Sequence, residues 1–73
     1  MDRATVLGHL QRAKEHVAQG ERHIRRQQEI IQQLQDHGHD TELARELLAT
    51  FEQLQVSHLA DRDRFAKMLE KLG

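Results

Sequence analysis

Cysteine, proline, tryptophan and tyrosine are all absent from this sequence, and phenylalanine occurs only twice. Without cysteine the fold has neither disulfides nor thiolate metal sites, so a chain of 73 residues needs another means of stabilisation. Without proline, nothing in the sequence forbids long uninterrupted helices. A composition that is 37% hydrophobic and 32% charged, with so few aromatic residues, is typical of helical proteins rather than β-sandwiches or barrels. These absences predict an all-α protein.

The signatures of common enzyme and membrane-protein classes are also missing. Ser57 is the only serine, so a serine nucleophile constellation is absent, and there is no glycine-rich phosphate loop or pair of histidines flanking a glutamate at four-residue spacing. No apolar run is long enough for a signal-peptide core or a membrane span. We therefore expect a cytoplasmic protein that is not an enzyme, has no cofactor and has no membrane partner.

Opposite charges are nearly balanced, with 11 Lys and Arg against 12 Asp and Glu. This balance does not predict the basic surface of a nucleic-acid-binding protein. One face of the first helical segment still carries several basic side chains, and RNA binding through it is the third of three functional hypotheses. Glutamates interrupt that face and no exposed aromatic side chain is available for base stacking, so we expect a solvated surface instead. The basic residues are Lys14, Arg22, Arg25 and Arg26.

The one decisive break in the helical pattern is the segment from Asp36 to Asp40, centred on Gly38. Gly38 suits the left-handed conformation that closes a helix, because it has no Cβ. Asp40 is a natural N-cap for the next helix, and Asp2 or Thr5 can cap the first one. The sequence predicts one domain, residues 1–73, with helix 1 at about 2–37, a turn at 38–40 and helix 2 at about 41–72.

A turn this short forces the two helices to pack antiparallel as a hairpin. Both helices carry apolar residues at alternating spacings of three and four, which is the heptad pattern of a helix–helix seam. Counting outward from Gly38 predicts that facing residue numbers sum to about 77. The predicted seam, which also belongs to the core of a dimer, comprises Leu10, Val17, Ile24, Ile31 and Leu34 on helix 1 and Leu47, Phe51, Leu54, Phe65 and Met68 on helix 2.

Further apolar residues lie beside this seam, where a lone hairpin would expose them to solvent. A stripe this wide on a two-helix unit needs another layer to cover it. We therefore predict a homodimer in which two hairpins form a four-helix bundle, the simplest closed arrangement. The apolar residues beside the seam are Leu7, Ile30, Leu48, Val56, Leu59 and Leu69.

Several histidines share one heptad phase of helix 1, adjacent to the seam. Seven residues span about 10 Å along a helix, so successive histidines cannot bind the same metal ion. We expect them to shield the flank of the seam, on the side where a second hairpin approaches. They are His9, His16, His23 and His37.

His58 and Asp61 occupy two successive seam positions of helix 2 that ought to be apolar. In the predicted register, His16 or His23 of helix 1 lies close to these two residues. Together they form a polar cluster about halfway along the hairpin, which we call the polar waist. Three interpretations remain open: Asp61 accepts a hydrogen bond from a histidine or arginine, the cluster fixes register and oligomeric state, or a divalent metal binds between hairpins. We favour the two structural interpretations.

Three stretches of the chain, His16–Ile24, Asp36–Thr41 and Leu47–Glu52, resemble segments of a set of small bacterial proteins of unknown function. The resemblance covers about residues 9 to 65. It implies a short, soluble helical hairpin, and it assigns no catalytic or binding residue.

The sequence therefore predicts a small structural or protein-interaction module that self-associates through its amphipathic helices, with another protein as the alternative partner. The second hypothesis, from a different class, is a metal-binding or pH-responsive module. Its candidate residues are His16, His23, His58 and Asp61.

Overall fold

The structure, a computed structural model, describes residues 2–73. It consists of two α-helices, α1 at Arg3–Asp36 and α2 at Glu42–Leu72, with no strand among the described residues. The predicted all-α class is confirmed. The helices run antiparallel, since Gly73 at the end of α2 lies beside the Arg3 side chain at the start of α1. Within residues 2–73, neither helix combines the length and the apolar character needed to cross a membrane.

Gly38 closes α1 in the predicted left-handed conformation, with φ of 71°. The N–H of His39 donates to the carbonyl of Leu34 at 2.8 Å, and the N–H of Gly38 donates to the carbonyl of Gln35 at 3.1 Å. These two bonds form a Schellman motif, which satisfies carbonyls that the end of a helix leaves without partners. The chain then reverses direction into α2.

Asp40 supports the start of α2 from one residue farther out than a conventional N-cap. The cap residue is Thr41, whose side chain makes no capping hydrogen bond. The Asp40 carboxylate instead accepts a hydrogen bond from the N–H of Glu42 at 3.0 Å. An amide of the first turn that lacks a helical partner is thereby satisfied.

Substituting Gly38 by alanine is expected to cost about 1 kcal/mol, a fall in Tm of about 4–8 °C. A Cβ at this position meets no atom within 4 Å, so the cost comes from the positive φ and not from a clash. Gly38→Asn should lose less, because asparagine tolerates this conformation. Thermal melting followed by circular dichroism measures both. An alanine variant as stable as the parent would show that this backbone conformation is not required.

Asp2 caps α1, and its carboxylate accepts a hydrogen bond from the N–H of Thr5 at 2.7 Å. This backbone hydrogen bond holds the pKa of the Asp2 carboxyl below its ordinary value, because it stabilises the charged form. The carboxylate also lies at the positive end of the helix dipole.

We expect Asp2→Ala to lower the Tm at about pH 7, and the difference from the parent to shrink by about pH 2. The folded-state pKa is lowered, so the stabilisation is present above the unfolded-state pKa and is lost as the pH falls through the folded-state value. Comparing parent and variant at each pH cancels the titration of the other carboxyls. Asp2→Asn, which keeps a capping oxygen but cannot titrate, is the control. A difference that persists unchanged at low pH would contradict the charge contribution.

The buried core lies along one side of α1 and follows the seam predicted for that helix. Ile24 and Leu34 of the same seam are partly buried. The most buried apolar residues are Val6, Leu10, Ala13, Val17 and Ile31.

Within the single hairpin, the buried stripe of α2 differs by one residue from the predicted seam at two positions. Leu47 and Leu54 are 45% and 50% exposed, whereas Gln55 is only 8% exposed. Leu48, predicted to lie beside the seam, is partly buried. Phe51, Phe65 and Met68 are partly buried as well. Leucines stand at helical spacing on both candidate stripes, so hydrophobicity alone could not choose between them.

Two glutamines decide which stripe of α2 faces α1. Gln27 Nε2 donates to the carbonyl of Ala44, and Gln55 Nε2 donates to the carbonyl of Val17, both at 2.9 Å. The Gln55 amide fits because Gly20 opposite has no side chain, and a Cβ there would overlap it. Buried amides need such partners, so these bonds favour one register over its neighbours.

The register differs by three residues from the one predicted. The count from Gly38 placed His9 opposite position 68, whereas the structure packs its ring against Phe65. Each ring of α1 therefore meets a residue of α2 that is three positions nearer the turn than the count predicted.

The hairpin is a thin rod. Its Cα atoms extend over 54 × 14 × 13 Å, and the radius of gyration is 16.6 Å, against about 11 Å for a compact domain of this length. The accessible surface is 5519 Å², whereas a typical folded monomer of this mass exposes about 4,700 Å². Several large apolar side chains, among them Leu43, Leu47, Leu54 and Val56, stay exposed in the hairpin.

Candidate functional site

Three pairs of rings bridge the helices along one face of the hairpin. Within each pair the ring centroids are 5.1–5.6 Å apart, a distance typical of packed rings. In every pair α1 contributes a histidine. We call this set the ring ladder, and it consists of His9 with Phe65, His16 with His58, and His23 with Phe51.

The ring ladder follows from equal spacing on the two helices. The three histidines of α1 are seven residues apart, and so are their three partners on α2, so antiparallel packing keeps the two rows in step. The histidines thus lie on the flank of the seam where they were expected. His37, on the same heptad phase, instead packs against His39 in the turn, with ring centroids 6.4 Å apart.

A shallow groove follows the ring ladder and widens on both sides of its central pair, into cavities of about 170 and 210 Å³. His16 and His58 line both cavities. Asp61 lines the first cavity, and Gly20 and Leu54 line the second. The polar waist predicted from the sequence is therefore an open groove and not a buried cluster.

The carboxylate of Asp61 forms its ion pair within its own chain. Its carboxylate forms an ion pair with Arg64 at 3.3 Å, one helical turn further along α2. The Arg64 guanidinium also lies 4.9 Å from the centroid of the Phe65 ring. The neighbouring Arg62 donates to Asp63 instead. The carboxylate is half exposed, so this pair adds little stability.

The four candidate metal ligands do not come together in one chain. His16 and His58 are paired, but the His23 ring packs on Phe51, about 10 Å away along the helix. The Asp61 carboxylate is held by Arg64. Across residues 2–73, no three side chains of the types that bind metals are grouped closely enough to hold one ion.

Apolar side chains lie exposed beside the ring ladder. Leu54 lines the second cavity, and Leu47 lies two helical turns away on the same stripe of α2. Both are about half exposed. We call the ring ladder together with Leu47 and Leu54 the ladder face. Val56, which is 68% exposed, lies about 200° around α2 from Leu54 and therefore points away from this face.

Of the basic residues named for RNA binding, Arg26 lies beside the ladder face, in a cavity that it shares with His23 and Phe51. Arg22 and Arg25 are exposed, and Arg26 forms an ion pair with Glu29 at 3.3 Å. A carboxylate within the basic stretch lowers its attraction for phosphate. RNA binding through this surface stays a prediction.

Gln55 is the residue that sequence reasoning missed. A leucine precedes it at a competing seam position, and leucine is the more hydrophobic residue. The gap left by Gly20 on the facing helix is the signal that could have identified Gln55, since a small residue there makes room for a longer side chain.

Comparison with known proteins yields no match to a family model, a curated protein or a solved structure. The functional inference therefore depends on the geometry of the hairpin.

Proposed function

We propose that this protein is a small interaction module that self-associates through the ladder face, two hairpins forming a four-helix bundle. The observation that carries the proposal is the row of half-exposed apolar side chains beside an open, ring-lined groove, represented by Leu47 and Leu54. Apolar side chains that lie together along a groove mark an interaction surface more often than scattered ones do.

The area of one long face of the hairpin matches the area that a typical dimer interface buries on each partner. The hairpin exposes roughly 800 Å² more surface than a typical monomer of its mass. The Cα footprint of one long face, 54 × 14 Å, is about 750 Å², close to the ~800 Å² that each partner buries in a standard interface. One face of the hairpin is therefore large enough to form a standard interface with a second copy of the chain.

The charges of the ladder face also permit self-association. A two-fold interface sets the same patch of each copy against the other, so the patch must not repel itself. Arg12 and Asp61 line the same cavity, which gives the face both signs of charge. The ladder face therefore lacks electrostatic complementarity to a strongly acidic or strongly basic partner.

Sedimentation equilibrium at micromolar concentration tests the proposal. The expected result is a species of twice the chain mass of 8.5 kDa that dissociates on dilution. The melting temperature should rise with protein concentration, because dimerisation stabilises the folded state by mass action. A folded monomer at all accessible concentrations would overturn the proposal.

A further inference from the structure

We propose that His16 and His58 form half of a divalent transition-metal site, which the same two residues of a second copy complete. The inference rests on the proposed dimerisation through the ladder face. It reduces the four candidate ligands of the sequence to the one pair that the fold brings together.

The spacing of the two rings suits a shared ion. Their centroids are 5.3 Å apart. Two imidazoles bound to one tetrahedral zinc ion, at Zn–N distances of about 2.0–2.1 Å, have ring centres about 5 Å apart. The other two pairs of the ring ladder join a histidine to a phenylalanine, so only the central pair can supply two ligands.

Symmetry supplies the two missing ligands. In the dimer, the two ladder faces are related by a two-fold axis. If this axis passes at the level of the central pair, His16 and His58 of one copy face His16 and His58 of the other. Four imidazoles are a complete ligand set for a closed tetrahedral site of the structural type. The central pair lies near the middle of the rod, so an axis at this level also keeps most of both faces in contact.

The charges around the pair are compatible with a cation. Asp61 on α2 lines the same cavity and supplies negative charge, although Arg64 shares it. Arg12 on α1 also lines the cavity, but its guanidinium is bonded to His9 Nδ1 at 2.7 Å. The cavity on the other side of the pair has one titratable neighbour, His23, beside uncharged residues. Glu15 and Arg22, which carry opposite charges, share a third cavity with His16.

Titrating the full chain, without a polyhistidine tag, with zinc sulfate in a calorimeter tests the inference. The expected stoichiometry is one zinc per two chains. Excess zinc at about a hundredfold over the dissociation constant should raise the Tm by about 10 °C. Binding should weaken as the pH falls from about 8 to 5, because protons compete for imidazole nitrogens.

Three variants separate the central pair from the other histidines. His16→Gln and His58→Gln should each abolish zinc binding and the zinc-dependent rise in Tm, and circular dichroism without zinc shows whether each still folds. His39→Gln is the matched control, because it removes a histidine of the turn, outside the ladder face, and it should bind zinc as the parent does. Loss of binding in His39→Gln alone, or its survival in His16→Gln, would overturn the inference.

Sedimentation with EDTA and with zinc distinguishes this inference from the proposed function. A dimer in EDTA that binds no zinc, or one zinc per chain, would overturn the shared site and leave self-association standing. A monomer in EDTA that dimerises with zinc would support the shared site and overturn metal-free self-association. A monomer under both conditions would overturn both.

Discussion

Leu54→Glu is expected to raise the dissociation constant of the proposed dimer by about 100-fold or more, which corresponds to about 2.7 kcal/mol. Leu54 is half exposed in the single hairpin, so glutamate there should leave the fold of one chain intact. In a two-fold dimer each copy would bury one unpaired carboxylate in the interface, and burying a charge without a partner costs several kcal/mol. Sedimentation equilibrium over a range of concentrations measures the change.

Val56→Glu is the matched control for that substitution. It introduces the same charge on the same helix, at an apolar residue that is still more exposed and points away from the ladder face. We expect the dissociation constant of Val56→Glu to remain within about threefold of the parent, because surface substitutions usually change free energies by less than about 0.5 kcal/mol. If Val56→Glu dissociated the dimer and Leu54→Glu did not, the interface would lie on the opposite side of the hairpin.

Leu10→Ala is expected to destabilise the folded chain by about 2–5 kcal/mol, lowering the Tm by about 10 °C or more. Leu10 is 6% exposed and belongs to a narrow core that only two helices enclose. Truncation removes buried apolar surface and leaves a cavity, and a thin hairpin has few other contacts to compensate. Thermal or urea denaturation at a fixed protein concentration gives the difference in the free energy of unfolding.

Leu43→Ala makes the same chemical change at a side chain that is 81% exposed. At concentrations where the chain is monomeric, the free energy of unfolding of this variant should stay within about 0.5 kcal/mol of the parent. Equal losses at Leu10 and Leu43 would mean that the core does not lie along the seam of α1. A dimer that buries Leu43 would instead make the loss at that residue depend on protein concentration, which the same denaturation experiment detects.

Local features were predictable because short segments decide them. Gly38 is the one residue of the break that adopts a positive φ without strain, and it closes α1 as expected. Asp2 caps α1 because an oxygen placed just before a helix can accept a hydrogen bond from its first turn. The seam of α1 was predictable as well, since most of the apolar and small residues of that helix occupy one stripe.

The seam of α2 was not predictable from hydrophobicity, because leucines stand on two neighbouring stripes. The choice depends on contacts between residues far apart in the chain. Gln55 lies 38 residues from Val17, whose carbonyl it bonds, and it fits only where Gly20 leaves room. The same interactions shift the register, and the register determines which ring meets which histidine.

The helical hairpin with its turn at Gly38 could be predicted from the residue pattern, because the absence of proline allows long helices and the break at Gly38 is the one strong interruption. The residue pattern also placed the histidines of α1 on one flank, since seven-residue spacing alone does that. The partners of these histidines, Phe65, His58 and Phe51, follow only from the packing of the two helices. The same packing makes His16 and His58 the imidazole pair that bridges α1 and α2. Pairing across two helices depends on register, and register is set by long-range contacts that no local pattern contains.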